Sequence, residues 1–189
     1  YTYDAATTAG KLTKVTTVNG GGTVANYIDM TYDTSSRLAS LVTGYHELSS
    51  GTNKTLTRVR YGYDTSNRLT TVTVDLSPND NAIADAKTYV TTYGYSGTSK
   101  LVSSITQSDG TALAIVYDGS NRVSTMTQTV AGVARTTTFT YDTVNRITTI
   151  TDPLSNVSKM TYDTAGRLTR IEEPAPTGGV TSVTDFTYN

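Results

Sequence analysis

The chain has no cysteine and no tryptophan, one histidine, four prolines and two phenylalanines in 189 residues. Without cysteine there is no disulfide and no thiolate metal site, and either redox compartment is acceptable. The one histidine, His46, lies in Tyr45-His46-Glu47, where nothing supplies metal-ligand spacing, so it reads as a surface or strand residue. A net charge of −1 leaves no basic footprint for nucleic acid and no charge run for a membrane surface. No run of about 18 apolar residues is present, so no membrane insertion is expected. No charged stretch precedes an apolar one as in a signal peptide. Helix formers are sparse, and no window carries an i, i+3, i+4, i+7 apolar stripe of useful length.

Threonine makes up about a fifth of the chain, and with Val, Ile and Tyr it suits a pleated surface. The length is enough for one domain with a sizeable core. The expected fold class is therefore nearly all β.

Through this composition runs the pattern Tyr-Asp-x-x-x-Arg-Leu. It reads Tyr32-Asp33…Arg37-Leu38, Tyr63-Asp64…Arg68-Leu69 and Tyr162-Asp163…Gly166-Arg167-Leu168. With β-branched residues in the last place it reads Tyr117-Asp118…Arg122-Val123 and Tyr141-Asp142…Arg146-Ile147. Weaker copies are Tyr95-Ser96…Lys100-Leu101 and, with an insertion, Tyr3-Asp4…Lys11-Leu12, and an eighth starts at Phe186-Thr187-Tyr188-Asn189. Steps between the tyrosines run from 21 to 32 residues. Repetition at this period signals a repeat architecture. We expect one array over residues 1–189, read as a piece of a longer one.

Taking the tyrosine as position 0, position −2 is large and apolar in every copy, so the two share one strand face. Asp at +1 starts a turn by bonding its own backbone two residues on. Ser, Asn or Gly at +4 follows, and Asn and Gly tolerate φ > 0 at low cost. This fits a three-residue hairpin loop, a type I turn plus a left-handed bulge. Tyr(0) then faces Leu(+6) as a packing pair, and Asp(+1) faces Arg(+5) as an ion pair on the other face. Position +9 is also apolar (Leu41, Val72, Met126, Ile150, Ile171). It lies three from +6, so strict alternation would put the two on opposite faces. Either a second bulge intervenes or both faces are partly covered. Extra material in the longer steps is expected as loops around Ser49–Lys54, around residues 77–81 and over residues 172–179.

On these residues the chain resembles the Rhs/YD-repeat family, whose motif reads roughly R-Y-x-Y-D-x-x-G-R-L. The best match is Arg60-Tyr61-Gly62-Tyr63-Asp64-Thr65-Ser66-Asn67-Arg68-Leu69, and Gly166 stands where the family has its Gly. A second family-like phrase is Asp152-Pro153-Leu154-Ser155-Asn156. The resemblance implies repetitive antiparallel β-hairpins forming a curved β-sheet strip, a segment of an Rhs-type shell or a β-solenoid-like wall. In Rhs proteins and the C component of insecticidal Tc toxins such a shell encloses a C-terminal toxic domain. In teneurins a related shell supports adhesion. The implied location is bacterial, secreted or at the cell surface.

The expected function is a non-catalytic wall segment that encloses or displays another domain. The alternative is an adhesion module binding glycan or protein through loops or exposed tyrosines, with end-to-end self-association as a further possibility. No catalytic residue, no metal and no cofactor is expected. The partners are the rest of the parent shell and an enclosed toxin domain. The repeated aspartates read as turn caps rather than metal ligands. Asp152-Pro153 is superficially similar to the family's self-cleavage site but reads as a turn between repeats.

Overall fold

The computed structural model describes residues 1–4, 10–79, 85–174 and 181–189. It contains strands and turns only among the described residues. The strands are β1 (Thr2–Asp4), β2 (Lys11–Val18), β3 (Val24–Tyr32), β4 (Leu38–Glu47), β5 (Thr52–Tyr63), β6 (Leu69–Asp75), β7 (Thr88–Tyr95) and β8 (Val102–Gln107). They continue as β9 (Ala112–Tyr117), β10 (Val123–Val130), β11 (Val133–Asp142), β12 (Ile147–Thr151), β13 (Val157–Tyr162), β14 (Leu168–Glu173) and β15 (Ser182–Asp185). Two compact units are distinguished, residues 1–101 with 106–109, and residues 102–105 with 110–189.

In the first unit β1 to β7 pair antiparallel in chain order. In the second unit β9 to β15 do the same. Each step from one motif tyrosine to the next supplies two strands, one hairpin of a meander.

The apolar positions form lines across the strands. Met30 faces Leu41, Leu41 faces Val59, Val59 faces Val74 and Val74 faces Tyr89. Such cross-strand pairs are the unit of sheet stabilisation. The opposite face carries polar residues, for example Thr31 opposite Ser40, Ser40 opposite Arg60, and Arg60 opposite Thr73.

The sizeable core anticipated from length is not what forms. Among the described residues Tyr27, at 7% exposure, is the only buried apolar residue, and Asp75, at 3%, the only buried polar one. A strand in a sheet with no covering layer keeps its side chains half in water, so length adds strands rather than interior. Tyr27 owes its burial to Gly44, which faces it from β4. Its ring lies across that glycine, and its hydroxyl donates to Lys54 O at 3.3 Å. Asp75 meets Arg58 at 3.8 Å and Arg60 at 3.7 Å. The backbone then turns back over β5, where Arg58 donates to Pro78 O and Thr55 N–H to Asn79 Oδ1.

One loop expectation needs correction. Thr52, Asn53 and Lys54 belong to β5 rather than to a loop; the turn is confined to residues 48–51. Extra length went into the strands instead: β4 has 10 residues and β5 has 12, with a bulge between them near Gly44. Residues 80 and 81 of the second expected loop, and 175–179 of the third, lie outside the described residues; Glu172 and Glu173 end β14.

Candidate functional site: the hairpin junctions

The recurring local structure is the hairpin tip. In the Tyr32 copy Asp33 N–H donates to Arg37 O at 2.8 Å and Ser36 N–H to Asp33 O at 2.9 Å. Ser36 has φ +62°. These bonds define the three-residue loop with its left-handed bulge. Asn67 (φ +61°), Asn121 (φ +61°) and Gly166 (φ +79°) hold the same place in their copies. Each carboxylate organises its own loop. Asp33 Oδ1 accepts from Ser35 N–H and Arg37 N–H, and Asp64, Asp118 and Asp163 repeat the pattern.

Register answers the question left by positions +6 and +9. Tyr32 faces Leu38, but Thr31 faces Ser40, so Ala39 is skipped as a second bulge. The same skip occurs at Thr70, Ser124 and Thr169. With it, +6 and +9 fall on one face, opposite 0 and −2: Tyr63 faces Leu69 and Tyr61 faces Val72. The inserted copy agrees, with Tyr3 facing Leu12 and Thr2 facing Lys14. Its residues 5–9 lie outside the described ones.

The Asp–Arg pair forms in four copies: Arg37–Asp33 and Arg68–Asp64 at 2.7 Å, Arg122–Asp118 and Arg167–Asp163 at 2.8 Å. It does not stay on a face of its own, as expected from alternation. Each guanidinium reaches forward to the next copy. Arg37 lies 4.5 Å from the ring centroid of Tyr63, Arg68 4.6 Å from that of Tyr95, Arg122 4.2 Å from that of Tyr141 and Arg167 4.9 Å from that of Tyr188. Lys11 does the same over Tyr32 at 4.8 Å and also donates to Ser36 O. In the first unit the arginines cap the next turn as well. Arg37 Nη1 donates to Asn67 Oδ1 at 2.8 Å, and Arg68 Nη1 to Ser99 O at 2.7 Å.

The tyrosine completes the joint from the other side. Tyr32 Oη donates to Leu12 O, Tyr63 to Leu38 O, Tyr95 to Leu69 O, Tyr117 to Val102 O, Tyr141 to Val123 O and Tyr188 to Leu168 O, at 2.7–3.0 Å. The four tips with an Asp–Arg pair thus supply a carbonyl and a guanidinium to the tyrosine of the following copy; the Tyr3 tip supplies the Leu12 carbonyl and the Lys11 ammonium, and the Tyr95 tip the Val102 carbonyl. Sequence reading found the residues but missed this link between copies. The signal was the constant pairing of a +5 cation with an aromatic one period later.

The Tyr141 copy departs from the pattern, and the expected Asp142–Arg146 pair is absent. Asp142 faces Ile147 and Tyr141 faces Thr148, giving a four-residue loop without the second bulge. Arg146, not Asn145, takes positive φ, at +55°. The cause is local: Asn145 Nδ2 donates to Asp142 Oδ2 at 2.7 Å, the oxygen that arginine uses elsewhere. Arg146 Nε turns instead to Tyr162 O at 3.1 Å. Tyr162 loses its carbonyl and meets the Met160 sulfur at 3.7 Å.

Turns at the opposite strand ends reuse the tip chemistry. Asp152-Pro153-Leu154-Ser155-Asn156 closes with Ser155 at φ +67°, and Asn156 Nδ2 donates to Asp152 Oδ2 at 2.8 Å where arginine donates in the motif copies. Asn19 caps a Gly-rich turn ending at Gly22, φ +77°, which sequence reading did not single out. These carboxylates are held below the ordinary range. The main cause is the Arg37 amide at Asp33, and the matching amides at Asp64, Asp118 and Asp163. At Asp142 it is the Asn145 amide, and at Asp152 the Asn156 side chain.

His46 is half-buried in β4, its Nδ1 2.9 Å from Asn53 Oδ1 across the hairpin. No group of His, Asp and Glu suited to a metal ion occurs among the described residues. No helix among the described residues is long and apolar enough to cross a membrane. A shallow depression lined by Gln128, Val130, Val133 and Arg135 lies at the far end of the β10–β11 hairpin, away from every motif copy.

The family model for the RHS Repeat matches residues 141–178. No curated protein matches. Among solved structures the chain is similar to the TcdB2–TccC3 complex, with 15% identity and a TM-score of 0.61 over 91% of this chain. The same complex with Cdc42 gives 15% identity and 0.60, also over 91%. A Photorhabdus luminescens Tc holotoxin pore with a substituted TccC3 gives 16% identity and 0.58 over 91%. The chain spans only 9–10% of the length of those chains. Residues 141–178 thus match the RHS Repeat family model, and the chain shares its β fold with these Tc-toxin structures.

Proposed function

We propose that this chain is a wall segment of a bacterial, secreted Rhs-type β-shell that encloses or displays another domain, with Asp33, Asp64, Asp118 and Asp163 and their arginines as its joints. One observation carries the reading. Every tip with an Asp–Arg pair offers its carbonyl and guanidinium to the tyrosine of the following copy while the same arginine binds the aspartate of its own hairpin. A joint of that kind builds a surface by nearest-neighbour contacts, as repeat arrays do. The half-exposed side chains support the same role, since such a sheet is made to face something on each side. The Tc-toxin likeness supports the fold of a shell and leaves the enclosed domain to be found.

The test is electron microscopy of the intact parent protein with its natural C-terminus. A closed hollow particle with internal density is expected. An open rod or filament would overturn enclosure and favour an adhesive fibre.

A further inference from the structure

The tip between β11 and β12 differs from the intact tips only at its end. In both forms position −1 faces +8 and −2 faces +9. Thr140 faces Thr149 and Phe139 faces Ile150, as Thr161 faces Arg170 and Met160 faces Ile171. Intact tips spend three residues on the loop and one on the bulge, while the Tyr141 copy spends four on the loop and none on a bulge. One form becomes the other by moving a single residue from loop to bulge. From position +8 onward the strands do not slip, so the change is confined to the tip: Ile147 moves from opposite Asp142 to opposite Tyr141, and Thr148 becomes the bulge.

The two forms offer different contacts: the observed form pairs Ile147 with Thr161 and Thr148 with Met160 on β13, places that the Tyr32 and Tyr63 copies leave unpaired with the next strand. The observed form has the Asn145–Asp142 side-chain bond, and Tyr162 N–H donates to Arg146 O at 3.0 Å. It holds Arg146 at φ +55°, a conformation disfavoured for a long L side chain. Next to it stands Asn145, the residue type that takes φ +61° at Asn67 and Asn121. The intact form would move positive φ onto Asn145 and pair Arg146 with Asp142. It would also bring Arg146 over the Tyr162 ring and Ile147 O to the Tyr162 hydroxyl.

We propose that residues 141–149 are a two-state tip that exchanges between the four-residue loop and the bulged motif form. The exchange breaks or makes the junction between the Tyr141 and Tyr162 copies. It is a conformational switch set between the arginine joints at Tyr141 and Tyr188.

The test is NMR relaxation dispersion and saturation transfer on this chain, with Asn145→Gly and Arg146→Gly. Asn145→Gly removes the amide that holds Asp142 and favours positive φ at +4; Arg146→Gly relieves the strain of the observed form. Exchange on the μs–ms scale is expected at residues 142–148 and 162 of the natural chain. The tip at residues 163–168 should stay flat. Each variant should quench the exchange, and Asn145→Gly should move the Tyr162 ring resonances towards those of Tyr188, which Arg167 covers. Flat profiles at 142–148 by both methods, or Tyr162 resonances untouched by Asn145→Gly, would overturn the switch. If Asn145→Gly does not fold, the natural chain and Arg146→Gly decide it.

Discussion

Arg68 binds Asp64 of its own hairpin through Nε at 2.7 Å and lies 4.6 Å from the ring centroid of Tyr95 in the next. One guanidinium thus ties a turn to its successor, while Nη1 bonds Gly97 O and Ser99 O. Its side chain is only 17% exposed, so these contacts are partly shielded from water. A stacked cation contributes about 0.5–1 kcal/mol and hydrogen bonds to a charged group about 1.5–3 kcal/mol. Arg68→Ala should therefore cost about 2–3 kcal/mol in urea unfolding. Arg68→Lys should recover less than half, because a lysine cannot share its charge between fork and ring. Arg146→Ala, which removes one exposed bond to Tyr162 O and no ring contact, should cost about 0.5–1 kcal/mol. Equal losses at Arg68 and Arg146 would refute the joint.

The turn carboxylates set the response to acid. Asp33, Asp64, Asp118, Asp142, Asp152 and Asp163 are all held below the ordinary carboxylate value by amide and side-chain donors. A carboxylate depressed in the folded state stabilises fully above its unfolded pKa, about 3.9, and progressively less as pH falls through the folded value. Stability should be level from pH 7 to about pH 5 and drop below pH 4. Asp64→Asn keeps an oxygen for the Ser66 and Arg68 amides but cannot titrate. It should lower stability at pH 7 and flatten the acid limb relative to the natural chain in a urea series from pH 7 to 2. An unchanged acid limb would show that other groups govern it.

Two strand glycines separate close packing from open space. A Cβ on Gly44 would overlap the Lys54 carbonyl oxygen and the Tyr27 phenol, neither of which can withdraw without moving β5 or the buried ring. A Cβ on Gly62 would meet chiefly the Thr71 hydroxyl, the end of a rotatable side chain. Gly44→Ala should cost about 1–3 kcal/mol, the usual range for overpacking. Gly62→Ala should lie near neutral, because an alanine also has the better chain entropy. Thermal melts of the two variants side by side check the contrast.

What could be read from residues alone followed the range of the interaction. The hairpin loop was legible because Asp at +1 and Asn or Gly at +4 act within five residues. The Tyr–Leu pairing was legible because that loop sets it. The second bulge was visible only as a conflict between Leu38 and Leu41, and the pairing of Thr31 with Ser40 resolves it. The forward reach of Arg37 to Tyr63 was not legible, since nothing local says that hairpins lie side by side in this order. The Tyr141 copy defeated the pattern because its Asn145 also occurs as Asn67 and Asn121, which behave normally. The sequence difference beside it is Val144, where the other copies carry Ser35, Ser66, Ser120 or Ala165.

The left-handed residue at +4 offers the last prediction. Ser36 holds φ +62° and Gly166 holds φ +79° in the same turn, each accepted by the same pair of backbone bonds. An L side chain in this region costs about 1–2 kcal/mol that glycine does not incur. Against this, glycine loses more freedom on folding, by about 0.5–1 kcal/mol. The balance favours glycine at both sites. No neighbour lies within 4 Å of a Cβ on Gly166, so its replacement tests conformation alone. Gly166→Ala should lose about 1 kcal/mol, and Ser36→Gly should gain up to about 1 kcal/mol. Ser36→Asn should fall between, since asparagine visits this region readily. If Ser36→Gly were instead destabilising, the Ser36 side chain would have to carry a contact beyond its backbone, and the turn at Tyr32 would not be interchangeable with that at Tyr162.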